Sequence, residues 1–422
     1  MRVMLIVFPT RTHIYSMAPV GWALRAAGHE VRFVGQRNPA EVEPFLETGL
    51  DAMWFGDDLN IARHRRLGDY GDMDGNVMDA EHKLSETREE KYTDEYVRAV
   101  YDMWVDVYRW AAPNSLLDEL LRFARRWRPD LVVWDPIMYA GPLVAHVVGA
   151  AHVRMLYAAD QSARIGVQYQ ELLNRQPPGQ RRDSLVEWMS GWLSRFDREF
   201  DDTLRYGMAT IDSQPECIRY DLGLNYIPVR FVPLNRPLTI PRWVLEKPRR
   251  PRVMLTLGVS NRQVYGHEET SVASLLDGLA ALDIEVIATL NASQLAAVPR
   301  LPDNVRAVDF VPMNELLASC SAIVHQGGGA TVGNAVVNGV PQLIVPGTTW
   351  SERASALAQV KRGNGLLLDL ADVTPDSVRH GVERLLREPS FLASAVEVQR
   401  EMAATPTLGD IVPVLEAAAS GR

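Results

Sequence analysis

Short β-branched runs alternate with amphipathic stretches along the first half of this chain, and the same alternation begins again in the second half. Such runs read as strands buried on both faces of a parallel sheet, with crossover helices between them. In the first series the strands are expected at Val3–Phe8, Glu30–Val34, Asp51–Phe55, Leu131–Trp134 and His152–Tyr157. Met17, Val20, Ala23 and Leu24 mark the apolar face of a helix over Met17–Ala27, and Gly28 stands where a left-handed C-cap is needed. Prolines 228, 233, 237, 241, 248 and 251 forbid a regular helix or central strand over Pro228–Pro251. Strands resume at Val253–Leu257, Glu285–Thr289, Val305–Val308, Ala322–His325, Gln342–Val345 and Gly365–Leu368, with helices such as Ser271–Ala281 and Thr331–Asn338 between them.

The expected fold is therefore α/β: two doubly wound, Rossmann-like parallel-sheet domains facing across a cleft. A length of 422 residues suits two domains of roughly 200 residues each. We place the first at residues 1–227, a linker at 228–251, the second domain at 252–402, and a C-terminal helical tail at 403–422 that packs across the junction around Ile411–Ala419. The segment Asp57–Arg98, rich in charge and glycine, reads as loops and surface helices. In Asp183–Tyr206, Leu185, Trp188, Met189, Trp192, Leu193 and Phe196 fall on one helix face. Core packing explains that face, and a partner surface or acceptor pocket is the alternative.

A formal net charge of −9 argues against nucleic-acid binding, which needs an excess of Lys and Arg on one face. Arg122, Arg125, Arg126 and Arg128 read as a solvated helix face. The cysteines Cys217 and Cys320 lie far apart among apolar residues, as free thiols of a reducing compartment do. The apolar run Val3–Phe8 is too short for a secretion signal, and no stretch is long enough to span a bilayer. A cytoplasmic protein is expected.

Chemistry is expected first at Ala322–Thr331, a strand that runs into Gly327, Gly328 and Gly329 and then into a helix. Glycines let backbone amides approach an anion, and the helix N-terminus adds partial positive charge. His325 and Thr331 are expected to donate side-chain hydrogen bonds there, although a turn without any ligand has the same composition. A dinucleotide fingerprint fits poorly, because Ala330 takes the place of its middle glycine and no acidic residue follows Gln342–Val345. His13 and Asp135 are expected at the C-terminal ends of neighbouring strands, where open α/β sheets bind ligands. A neutral imidazole oriented by a carboxylate is equipped to deprotonate a hydroxyl. Read singly, each also suits an ordinary helix start or turn. Phosphate-loop, HExxH and GxSxG signatures are absent. Asp72-Met73-Asp74 has the spacing of a metal-binding acidic pair but no strand before it, so no metal site is assigned.

Several motifs carry a family resemblance: Thr12-His13 opening a helix that ends in Trp22-Ala23-Leu24-Arg25-Ala26-Ala27-Gly28-His29-Glu30-Val31, Trp127-Arg128-Pro129-Asp130-Leu131-Val132-Val133-Trp134-Asp135-Pro136, Pro302-Asp303-Asn304-Val305-Arg306, Phe310-Val311-Pro312, and the His325 loop. Together they resemble the bacterial glycosyltransferases that attach deoxysugars to macrolides and other polyketides, in particular the erythromycin-type desosaminyl- and mycarosyl-transferases. The likeness extends over essentially the whole chain. It implies the GT-B fold, inverting and metal-independent transfer, no cofactor beyond a thymidine-diphosphate deoxysugar co-substrate, and an apolar polyketide acceptor held by the first domain. It also implies His13 as base and Asp135 as its partner. Phe310 and Val311 would lie against the nucleotide base, Ser260 and Arg262 near the phosphates, and His325, Gly328, Gly329 and Thr331 around the diphosphate. Trp350 and Ser351 would face the sugar.

Several of the relatives it resembles act only with an auxiliary protein that resembles a cytochrome P450 without its haem-ligating cysteine. The face around Trp188 and Trp192, or the Asp57–Arg98 segment, would receive it here; the resemblance also admits a homodimer. The pattern is broken at Gln326, where relatives commonly have His, and at Ser351, where they have Asp. The second change points to a sugar with fewer hydroxyls or with an amino group. Two rivals stay open: a sugar-nucleotide epimerase of the same architecture, and a non-catalytic regulatory subunit.

Overall fold

The strand ladders of the computed structural model are all parallel and form two sheets; residues 1–59, 61, 85–259, 269–296, 298–348 and 350–421 are described. The first sheet has β1 (Arg2–Ile6), β2 (Glu30–Gln36), β3 (Ala52–Phe55), β4 (Leu131–Trp134), β5 (Ala151–Met155), β6 (Thr210–Asp212) and β7 (Tyr226–Pro228), in the order β3-β2-β1-β4-β5-β6-β7. The second has β8 (Arg252–Thr256), β9 (Glu285–Thr289), β10 (Val305–Val308), β11 (Ala322–His325), β12 (Gln342–Ile344) and β13 (Gly365–Leu367), in the order β10-β9-β8-β11-β12-β13. The expected fold class of two doubly wound parallel sheets is present.

The central strands are the apolar ones. Val3 to Ile6, Leu131 to Trp134, Val253 to Leu255 and Ala322 to Val324 are all fully buried, because helices cover both faces of each sheet. Local chemistry fixes the helix ends. Gly28 adopts a left-handed φ of +88° beyond the helix Arg11–Ala26, a conformation that costs glycine nothing. Asp183 caps the helix Ser184–Leu193 by accepting from the backbone N–H groups of Leu185 and Val186. Within that helix Leu185, Met189, Trp192 and Leu193 are buried, which is the core-packing reading of its apolar face.

Two units result, each with its own core. The first comprises Met1–Ser213, Tyr220–Leu234 and Pro406–Arg422; the second comprises Gln214–Arg219 and Asn235–Thr405. In the first unit Leu408, Ile411, Val412 and Leu415 share a core with Val3, Leu5, Leu24 and Val133, so the helix Val412–Ser420 is an integral part of it. In the second unit the 3₁₀ turn Glu216–Ile218 packs on the helix Glu352–Arg362, with Gln359 Nε2 3.6 Å from the Cys217 sulfur. The proline-rich stretch is less irregular than its composition suggests, since it includes a short helix, Arg242–Leu245. Both cysteines are free thiols, and burial pushes that of Cys320 up to about 12.

Candidate active site

Both sheets reverse their winding direction between two central strands, β1 and β4 in one and β8 and β11 in the other. Loops leaving the C-terminal ends of such a pair diverge and leave room for a ligand. His13 lies in the first turn of the helix that follows β1, and Asp135 directly follows β4. The structure brings them together, with His13 Nδ1 2.6 Å from Asp135 Oδ2. The other carboxylate oxygen, Oδ1, accepts the backbone N–H of Ile137 at 2.9 Å. An ionised carboxylate can only accept, so Nδ1 carries the proton and Nε2 presents its lone pair. Asp135 is 2% exposed, which keeps water from competing for this bond. The imidazole also lies against Tyr157, with ring centroids 3.9 Å apart, and edge-on to Phe8 at 5.5 Å.

In the second unit β11 ends at His325 and the chain turns through Gly327 and Gly328 into the helix Gly329–Val337. Here the expected role of one side chain needs correction. His325 does not offer a hydrogen bond to a ligand: it is fully buried, its Nδ1 accepts the N–H of Gly327 at 3.0 Å, and its Nε2 lies 3.0 Å from Gln342 Oε1. Since Nδ1 accepts, Nε2 must donate to Gln342. Burial lowers the imidazole pKa to about 4, so it is neutral and shapes the loop from beneath. Gly327 has φ +93°, and a Cβ there would meet Ile344 Cγ2 at 3.1 Å and Glu352 Cβ at 3.2 Å. Gly328 is different, because a Cβ there would meet no described atom within 4 Å. That open space lies at the helix N-terminus, where the first amides have no partner within the helix. Thr331 lies buried in the first turn of this helix.

A group that the spacing pattern overlooked sits beside the loop. Glu352 begins the helix that follows Trp350 and Ser351, is buried, and its Oε2 finds no hydrogen-bond partner among the described residues. Burial pushes its carboxyl up to about 7, opposed by its own backbone N–H and increased by the nearby Glu269. An acidic residue in a first helical turn is ordinary, so only its burial sets it apart. Ser351 is buried at the N-cap of the same helix. After β10, Val311 is buried in the core while Phe310 is half-buried, with the Arg236 guanidinium 4.6 Å from its ring centroid. Gln326 reaches the turn after β8, where a Cβ on Gly258 would lie 2.2 Å from Gln326 Nε2. Ser260, Arg262 and the Asp72–Asp74 pair lie outside the described residues.

The chain matches the family described as erythromycin biosynthesis protein CIII-like, through its N-terminal domain over residues 22–258 and its C-terminal domain over residues 273–418. It belongs to this family of glycosyltransferases. The transferase is 40% identical to the aclacinomycin-T 2-deoxy-L-fucose transferase of Streptomyces galilaeus over 99% of this chain and 96% of the relative. It is equally 40% identical to the 10-deoxymethynolide desosaminyltransferase of Streptomyces venezuelae, with the same coverage of both chains. Among solved structures, the glycosyltransferase VinC in complex with DTDP superposes with a TM-score of 0.89 at 39% identity over 100% of both chains. The spinosyn forosaminyltransferase SpnP gives 0.82 at 40% identity, covering 100% of this chain and 99% of that one. The fold is thus GT-B. Among the described residues of the transferase, no helix is long and apolar enough to cross a membrane.

Proposed function

We propose that this glycosyltransferase moves a deoxysugar from a thymidine-diphosphate sugar to a hydroxyl of a polyketide-type aglycone, with inversion and without a metal ion. The observation that carries this reading is the His13–Asp135 pair, whose hydrogen bond leaves Nε2 as a free base. In the first unit Nε2 takes the proton of the acceptor hydroxyl as its oxygen attacks the anomeric carbon. Asp135 stabilises the imidazolium that forms. In the second unit the diphosphate rests in the open space at Gly328, where helix amides take up the negative charge of the leaving group. A one-step displacement assisted by a single base inverts the anomeric centre. The relatives named for transfer of 2-deoxyfucose and desosamine, and the bound DTDP of VinC, support the donor class.

The test is transfer from a thymidine-diphosphate deoxysugar in the presence of excess EDTA, with the anomeric configuration of the product read by NMR. Inverted product at an undiminished rate is expected. Retained configuration, or a rate abolished by EDTA and restored by a divalent cation, would overturn the mechanism.

A further inference from the structure

We propose that Tyr157 is a positioning residue for the base: the face of its ring holds the His13 imidazole and stabilises the imidazolium formed during transfer. This rests on His13 being the base. The two ring centroids are 3.9 Å apart with the planes inclined at 42°, so the imidazole lies over the phenol ring and does not merely touch its edge. A cation within about 6 Å of an aromatic centroid is attracted by the negative ring face. The imidazole is thus held on three sides, by the Asp135 carboxylate at Nδ1, by Tyr157 on a face, and by Phe8 at 5.5 Å and 63°.

The segment that carries Tyr157 is pinned at both ends. Tyr157 lies in the connection 156–160 between β5 and the helix Gln161–Asn174. Before it, Arg154 is 1% exposed and forms a two-pronged ion pair with Asp160, which is 5% exposed and caps the helix. Thr210 Oγ1 accepts from Arg154 Nε at 3.2 Å, and the Tyr226 hydroxyl donates to Asp160 Oδ2 at 2.8 Å. Leu156 N–H donates to Ile211 O at 2.9 Å. A buried, fully hydrogen-bonded ion pair is a poor source of net stability but is costly to break, which suits it to holding a short connection in one register.

In the step concerned, the acceptor O–H bond breaks and its proton passes to His13 Nε2. The acceptor oxygen bonds to the anomeric carbon, and the bond from that carbon to the diphosphate oxygen breaks with its electron pair leaving on the diphosphate. Positive charge appears on the imidazole only as this happens, so the Tyr157 face contributes to the rate and not to substrate affinity.

The experiment compares Tyr157→Leu, Tyr157→Phe and His13→Ala in steady-state transfer, with Tyr157→Met as a second variant that lacks the ring. We expect Tyr157→Leu and Tyr157→Met to lower kcat by about tenfold at unchanged KM for both substrates, and Tyr157→Phe to restore it. The ring-proton NMR signals of His13 should move downfield in Tyr157→Leu, where the shielding ring is gone, and stay in place in Tyr157→Phe. Wild-type kcat in Tyr157→Leu, a loss confined to acceptor KM, or a Tyr157→Phe variant as slow as Tyr157→Leu would each overturn the proposal while leaving the base intact. Full activity in His13→Ala would overturn the base and this proposal together.

Discussion

Asp135 uses its two carboxylate oxygens for different purposes: Oδ2 accepts from His13 Nδ1 at 2.6 Å, and Oδ1 accepts from the backbone of Ile137 at 2.9 Å. One oxygen sets the tautomer of the imidazole, and the other fixes the carboxylate to the turn after β4. The residue is therefore harder to replace than a solvent-exposed acid of the same type.

Asp135→Asn tests this division. If the amide oxygen stays on Ile137, its NH₂ faces Nδ1, which must then accept, and the ring proton moves to the nitrogen that should be the base. We expect kcat to fall by about 100- to 10,000-fold, with thymidine-diphosphate affinity unchanged by calorimetry. A loss below about fivefold would show that the tautomer is not set here.

Neighbouring glycines in the second unit should respond in opposite ways. Gly327→Ala meets both a positive φ and close neighbours, and should cost about 1–3 kcal/mol of stability. Gly328→Ala meets open space, so the fold should change by less than about 0.5 kcal/mol. The added methyl of Gly328→Ala nevertheless occupies the proposed diphosphate seat, and thymidine-diphosphate affinity should drop at least about tenfold. Chemical denaturation and calorimetry on the pair separate the two effects, and undiminished affinity in Gly328→Ala would remove the diphosphate from this place.

Stability should depend on pH through three buried groups, two of which act together against the third. Burial holds His325 and His152 near 4 against an ordinary 6.5, so the unfolded chain binds protons that the fold refuses. Their stabilisation is complete above 6.5 and is lost as pH falls toward 4. Glu352 runs the other way: its carboxyl, raised from 4.5 to about 7, keeps its proton in the fold, so its stabilisation is present below 4.5 and is lost as pH rises through 7. Glu352→Gln removes only the second dependence. It should be more stable than the wild type at pH 8 by on the order of 2 kcal/mol and little different at pH 5. Thermal unfolding across that range decides it; a variant less stable than the wild type at pH 8 would contradict the sign.

Legibility of the fold in the sequence followed burial. β4 is a continuous apolar run and β9, β10 and β11 are mostly apolar or β-branched, with Glu285, Arg306 and His325 the exceptions, and the expected and observed bounds of all four agree. β6 and β7 were not anticipated, because Thr210–Asp212 and Tyr226–Pro228 are three residues long, partly polar, and derive their strand character from neighbours rather than pattern. The helix after β1 starts at Arg11, one residue before the Thr12-His13 opening that the family motif implies and six before Met17, because Ile14 extends the buried stripe and the first turn is held by the backbone carbonyl of Thr10. In the candidate site, the His13–Asp135 pairing was legible because strand order in a doubly wound sheet brings the ends of β1 and β4 together. The direction of the His325 ring was not legible, because it is set by Gln342 on the next strand. Nor was the isolation of Glu352, since burial of one carboxylate oxygen leaves no trace in spacing.

The route of the backbone through the two units has a practical consequence. It changes unit after residues 213, 219, 234 and 405, so no single cut yields either unit whole. A fragment ending at residue 234 would carry six residues, Gln214–Arg219, that belong to the other unit, and would lack Leu408, Ile411, Val412 and Leu415 from its own core. Hybrid enzymes built from this transferase and its relatives therefore need three matched exchanges, with the tail from residue 406 onward travelling alongside the N-terminal half it helps to fill.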